Sequence, residues 1–264
     1  MSVSRAILIT VVSLILIWLI IPILIIVPMS FSGMRFLTFP PPSWSFRWYE
    51  AYLASSAWMQ ATKVSLIVAI ASAILSTIIG TAAAYALNLT SSRLVRSMQV
   101  VLLLPLVVPI VITAVGVFFV FAKVGLLATL SGLILANVML GLPYVVTSVL
   151  VGLRKFDPTQ EMVARSLGMN RFRAFFAVTL PQIKPSVISG LLFAFISAID
   201  ETVVSLFISG GQYQTLTKRM FTALRDEIDP TIASISSLLT AVSFFVVMLA
   251  ALSSGRQRKE HAAA

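Results

Sequence analysis

Residues 154–184 read RKFDPTQEMVARSLGMNRFRAFFAVTLPQIK and link two long apolar runs, Leu130–Leu153 and Ile183–Ile208, running two residues into the second. This polar stretch carries strong local signals. Asp157 before Pro158 is an N-cap followed by proline at the first helical position, where no N–H is needed. Gln160 falls three residues after the cap, the spacing of a capping box. Gly168 supplies a C-terminal stop. Together they predict a short helix over Pro158–Leu167, with Met162, Val163 and Leu167 as its apolar contacts. A second short helix is predicted from about Arg171 to Val178, after which Leu180-Pro181 turns the chain back. On physical grounds two uses stay open: a helix lying in a lipid interface, or a knob that fits a groove on a soluble partner.

The flanking sequence decides the class. Hydrophobic residues make up 59% of the 264 positions and charged residues 11%, against roughly 45–50% and about 25% in ordinary globular proteins. The mean hydropathy is +1.02. A soluble fold of this size cannot cover so much apolar surface, so lipid is the solvent for most of the chain. A bilayer core of about 30 Å takes about 20 apolar residues as helix. Six segments qualify: Ala6–Met29, Val64–Leu87, Met98–Ala122, Leu130–Leu153, Ile183–Ile208 and Thr231–Leu252. The first is longer than a signal-peptide core and no small-residue cleavage site follows it, so it is read as a retained span. The expected fold is an all-α integral membrane protein with six transmembrane helices. Residues 1–264 are read as a single membrane domain, with a polar loop at about 154–182 and a long outer loop at about 30–62. No internal repeat is visible.

Six spans place both termini on one side. If that side is the cytoplasm, the inner segments hold twelve of the nineteen Lys and Arg: Arg5, Arg93, Arg96, Arg154, Lys155, Arg165, Arg171, Arg173, Lys184, Arg256, Arg258 and Lys259. The positive-inside rule therefore puts both ends inside. The formal charge of +10 is read as topology, not as nucleic-acid binding. The basic tail would anchor the last span at an anionic leaflet, and Asp229-Pro230 would cap that span's start. Acids Glu50, Asp226, Glu227 and Asp229 fall on the outer side. The outer loop carries Trp44, Trp48, Tyr49, Tyr52 and Trp58, which suit an aromatic belt at headgroup level or a surface for a docked partner.

The chain has no cysteine, and its one histidine, His261, lies in the tail. Disulfides, thiol nucleophiles, histidine bases and zinc clusters are thereby excluded, and no catalytic or metal-ligating set is expected. Within the spans, Ser72, Ser76, Gly80 and Ala84 form a stripe of small residues that lets another helix approach closely. Pro105, Pro109 and Pro143 are expected to kink spans three and four. Asp200 and Glu201 are the only acids within a span. They stand about 25 Å along the fifth helix at 1.5 Å per residue. A charge facing lipid at mid-depth costs at least about 2.5–3.5 kcal/mol, so such acids need water, a partner or a ligand. Either one lines a path for a cationic solute, or the pair fixes helix packing.

Met162-Val163-Ala164, three residues, Gly168, nine residues and Val178-Thr179-Leu180-Pro181 resemble the EAA loop of ABC-importer permeases. That pattern is Glu-Ala-Ala, three residues, Gly, nine residues, Ile, one residue, Leu-Pro. Ala164, Gly168, Leu180 and Pro181 match it, Met162 stands at the family glutamate, and Glu161 sits one position earlier. The run Phe46-Arg47-Trp48-Tyr49, with Trp58, Ala61 and Ser65-Leu66, resembles the approach to span two in spermidine/putrescine permeases, and SAIDETVVSLFISG at 197–210 resembles their span five.

The resemblance implies a type I importer permease in a bacterial inner membrane. It would pair with a second permease, two ATP-binding subunits and an external substrate-binding protein. The helix before Gly168 would dock in the ATPase, with Asp157, Glu161, Ala164, Gly168, Leu180 and Pro181 as residues of the coupling loop. It also implies a small-amine substrate such as putrescine or spermidine, with opines, 4-aminobutyrate and choline-like cations as alternatives. ATP and magnesium would be bound by the partner, and no cofactor by this chain, which has no G-x-x-x-x-G-K-[ST] loop. A secondary transporter using Asp200 and Glu201 for ion coupling would not need the delimited loop around Gly168.

Overall fold

The structure is a computed structural model and describes residues 3–90, 92–226 and 229–260. His261 and Glu227 lie outside the described residues. All regular structure in these segments is helical. Four helices are long and apolar enough to cross a membrane: Ile7–Ser30, Ser56–Leu89, Leu130–Lys155 and the continuous run Arg171–Asp200. A bent pair, Arg93–Val107 and Ile110–Val124, passes the same test jointly, and Thr231–Phe245 is apolar but shorter.

The chain divides into two compact groupings. One holds the residues up to Met59 together with Met220–Phe245. Its first helix, α1 (Val3–Ser30), is apolar all round and has no buried residue in its apolar window, as lipid contact requires. A short helix, α2 (Arg47–Ala54), follows within the predicted outer loop. Phe31, Phe46 and Tyr49 stack as a cluster beside α2, and the Tyr49 hydroxyl lies 2.7 Å from Ser30 Oγ. Tyr52 and Trp58 are buried while Trp44 is exposed, so the loop aromatics do not act as one belt. The Ser234 hydroxyl, in the final helix, donates to the Thr231 carbonyl at 2.8 Å and lies 3.3 Å from the Trp48 carbonyl.

The second grouping is built on Gln60–Arg219. Helix α3 (Ser56–Leu89) starts eight residues before the predicted span, so the end of the predicted outer loop is helical. The predicted third span is broken into α4 (Arg93–Val107) and α5 (Ile110–Val124), which meet at 107°. Pro109 explains the break: it lacks an N–H, and it pushes Val108 into an extended conformation (ψ 131°). Pro105 stays inside α4 without ending it. Helix α6 (Leu130–Lys155) is capped by Thr129, whose hydroxyl accepts from the Gly132 N–H at 3.0 Å.

Two sequence expectations fail beyond α6. The short helix α7 (Pro158–Ser166) forms as expected, but Arg171–Val178 is not a separate helix. Helix α8 (Arg171–Ala174), a π turn (Phe175–Thr179) and α9 (Leu180–Asp200) run on without interruption. The extra residue of the π turn widens the helix just before Pro181, which has no N–H for the ladder, so the proline is accommodated without a turn. The predicted span Ile183–Ile208 instead stops at Asp200. Glu201 is extended (ψ 110°), and α10 (Val203–Ile208) is a separate half-helix. Helices α11 (Leu216–Asp226) and α12 (Thr231–Glu260) complete the chain. The predicted Asp229 cap is present, its Oδ1 accepting from the Thr231 N–H at 2.9 Å.

Helices α3, α6 and α9 pack through small residues, as the stripe on α3 predicts. Ser72, Ser76 and Ala84 are almost wholly buried. A Cβ added at Gly80 would sit 2.7 Å from Val145 Cγ1, and one at Gly190 only 3.0 Å from the Val145 Cα. Val145, Val146, Val149, Ile183 and Ala194 fill the seam between the three helices. Backbone cannot yield as a side chain can, so Gly190→Val is expected to destabilise the protein by about 1–3 kcal/mol. Thermal melting in detergent measures this, with Gly116→Val, where an added Cβ meets nothing within 4 Å, as the control expected to stay within about 0.5 kcal/mol.

Candidate functional site

The polar loop, and the cavity where the α4–α5 break meets the break after Asp200, are two places where this grouping departs from plain helix packing. At the loop, the Asp157 Oδ1 accepts from the Thr159 N–H at 2.9 Å. That N–H, and then the Thr159 hydroxyl, hold the Asp157 carboxyl below the usual aspartate range. The predicted capping box is not closed by Gln160, whose side chain accepts a hydrogen bond from Gln182 instead. Gly168 ends the helix with φ +96°, and the Met169 N–H reaches back to the Ala164 carbonyl at 3.2 Å. This is the glycine-terminated C-cap the sequence implies. Asn170, not singled out from the sequence, caps α8 through the Arg173 N–H at 2.8 Å.

The loop helix has two unlike sides. Ala164 and Glu161 are buried, each 7% exposed. Glu161 Oε1 accepts from the Tyr85 hydroxyl at 2.5 Å, and its Oε2 from the Thr179 hydroxyl at 2.5 Å. Met162, Val163 and Leu167 are exposed, Leu167 at 81%, and Phe172 beyond them is exposed at 73%. The predicted apolar contacts of α7 thus stand largely on its exposed side rather than in the core. Leu180 packs against the core seam, and Pro181 lies exposed near the start of α9. Tyr85 and Thr179 escaped the sequence reading; the only signal was a hydroxyl at the loop-facing end of an apolar span.

The second place is a cavity of about 760 Å³. Its walls come from both helix breaks: Pro105, Leu106, Val108 and Ile110 on one side, Ser197 and Asp200 through Val203 on another, with Leu140 and Tyr144 of α6. Irregular backbone at membrane depth is tolerated where it lines such a space. The two acids, adjacent in sequence, have different environments. Glu201 is half-buried and spends both oxygens on α10, accepting from the Val204 N–H at 2.8 Å and the Ser205 N–H at 2.9 Å. Asp200 is exposed, and among the described residues its carboxylate has no hydrogen bond or ion pair.

Helix α10 is held at its other end by Lys218. Its ammonium donates to the Ser209 carbonyl at 2.5 Å and the Leu206 carbonyl at 3.3 Å, and burial lowers its pKa from the ordinary lysine value. An acid at the N-terminus and a cation at the C-terminus both suit the helix dipole. Nothing in the sequence near Lys218 marked it for this role.

Similarity to known proteins agrees with this architecture. The family described as "Binding-protein-dependent transport system inner membrane component" matches residues 76–259. The spermidine/putrescine transport system permease protein PotC of Haemophilus influenzae is 31% identical over 236 residues, covering 89% of this chain and 91% of that protein. The putrescine transport system permease protein PotI of Escherichia coli K12 is 32% identical over 246 residues, covering 90% and 87%. A chain of a bacterial ABC transporter involved in import of the acidic polysaccharide alginate superposes with a TM-score of 0.74 at 17% identity, over 96% of this chain and 95% of that one. That likeness establishes the shared fold. With the family match spanning most of the chain and two relatives above 30% identity over nearly their whole length, the chain belongs to the inner membrane components of binding-protein-dependent transport systems.

Proposed function

We propose that this chain is one permease subunit of an ATP-driven importer and forms half of a translocation path for a small cationic amine of the putrescine and spermidine class. The observation that carries the substrate class is the unpaired Asp200 carboxylate on the 760 Å³ cavity. A carboxylate at membrane depth is stabilised by a cationic ligand or water. The names of PotC and PotI support the same class.

In this reading residues 1–264 act as one permease domain of six spans, with the bent α4–α5 pair as the third and α12 as the sixth, and with both termini in the cytoplasm. The loop helix α7 then faces the cytoplasm, where its exposed Met162, Val163 and Leu167 would enter a groove on the ATP-binding subunit. The chain itself is not an enzyme: ATP and magnesium belong to two partner subunits. A second permease closes the path, and an external binding protein delivers the solute.

Uptake of labelled putrescine by cells lacking the chain, with and without its restoration, tests this. Restored, ATP-dependent uptake that unlabelled spermidine competes away is the expected result. Equal uptake in both strains, with the complex shown to assemble, would discard the polyamine assignment and leave other small solutes of the same transporter class.

A further inference from the structure

Glu161 belongs to α7 but is directed away from that helix's exposed face, with 7% of its surface accessible. Its two oxygens accept from Tyr85, near the end of α3, and from Thr179, at the end of the π turn, both at 2.5 Å. A carboxylate taking two hydroxyl bonds of this length is in the strong, charge-assisted class. The partners are 76 and 18 residues away in sequence, so one side chain ties the loop helix to two different membrane helices. The surroundings are firm: the Tyr85 ring packs on Phe175 with centroids 4.7 Å apart, and the Arg171 guanidinium lies 5.7 Å from the Tyr85 ring centroid. Gln160, bonded to Gln182, adds a second tie from α7 to α9. From Thr179 the helix continues unbroken to Asp200 at the cavity.

We propose that Glu161 is a positioning residue that makes α7 move as one body with the loop-side ends of α3 and α9. A displacement imposed on the exposed face of α7 by the ATP-binding partner then reaches the cavity along α9 rather than dissipating in the loop. This deepens the importer assignment and rests on it.

The test uses the complete complex in lipid vesicles: both permeases, the ATP-binding subunits and the loaded binding protein. ATP hydrolysis and solute uptake are measured together and expressed as uptake per ATP. Glu161→Ala removes both bonds. The double change Tyr85→Phe with Thr179→Val removes both donors while keeping side-chain shape and the exposed face of α7. Glu161→Gln can keep two bonds, its amide accepting from one hydroxyl and donating to the other. Glu161→Ala and the double variant are expected to assemble and hydrolyse ATP but to lose about tenfold in uptake per ATP, within the range of ordinary coupling energies, with Glu161→Gln near wild type. A merely structural role would lower the amount of complex and leave that ratio unchanged.

An unchanged ratio in Glu161→Ala or in the double variant overturns the proposal. If Glu161→Ala does not assemble, the double variant decides, and its failure to assemble also counts against a positioning role. A wild-type complex with no ATP-dependent uptake overturns the importer assignment itself, and is recognised without any variant.

Discussion

Replacing Asp200 with asparagine is expected to lower uptake of a labelled diamine about thirtyfold, with no change in the amount of assembled protein. The magnitude follows from Coulomb's law. At an effective dielectric of about 20, two unit charges 4 Å apart attract by about 4 kcal/mol, and half of that surviving desolvation is a factor of about thirty. The fold should not suffer, because among the described residues the Asp200 carboxylate holds nothing in place. Glu201→Gln is expected to behave differently. Its carboxylate caps α10 through two N–H groups, so its loss should weaken the wall of the cavity for every solute alike. Competition profiles separate the two cases: Asp200→Asn shifts preference away from cations, whereas Glu201→Gln leaves preference unchanged. Full cation uptake in Asp200→Asn would remove the basis of the substrate assignment.

Leu167→Asp is expected to detach the ATP-binding subunits while leaving the permease folded. Leu167 is 81% exposed, so the substitution removes little internal contact and should shift stability by less than about 0.5 kcal/mol. Burying a leucine in a groove is worth about 1.5–3 kcal/mol, and a buried carboxylate without a partner adds a further penalty. Together these make a loss of affinity of at least about a hundredfold. Co-purification of the ATP-binding subunit with the variant measures it. Retention at wild-type level would mean that the exposed face of α7 is not the contact.

The local signals of the loop were legible because capping chemistry is local. Asp157, Pro158 and Gly168 each act on backbone groups within a few residues, and each does in the structure what its spacing implies. The small-residue stripe was legible for a similar reason, since helix periodicity alone places Ser72, Ser76, Gly80 and Ala84 on one face. The misses arise where tertiary packing overrides local rule. Leu180-Pro181 reads as a turn until a π turn accommodates the proline, and a π turn has no sequence signature. The break at Glu201 lies in an apolar run with neither glycine nor proline, and only a polar triplet, Asp200-Glu201-Thr202, hints at a cap. Two prolines signalled a disturbed third span, but which one breaks it depends on what packs around them: Pro105 stays helical and Pro109 does not. The difference between Asp200 and Glu201 was invisible for the same reason, being set by where α10 begins.

Purifying the tagged protein from its native membrane in mild detergent, and identifying what accompanies it, tests the importer assignment itself. A second permease and an ATP-binding subunit are expected in fixed proportion, with ATP hydrolysis that rises when the loaded binding protein is added. A folded chain that purifies without an ATP-binding subunit, yet still moves solute in vesicles lacking ATP, would contradict it.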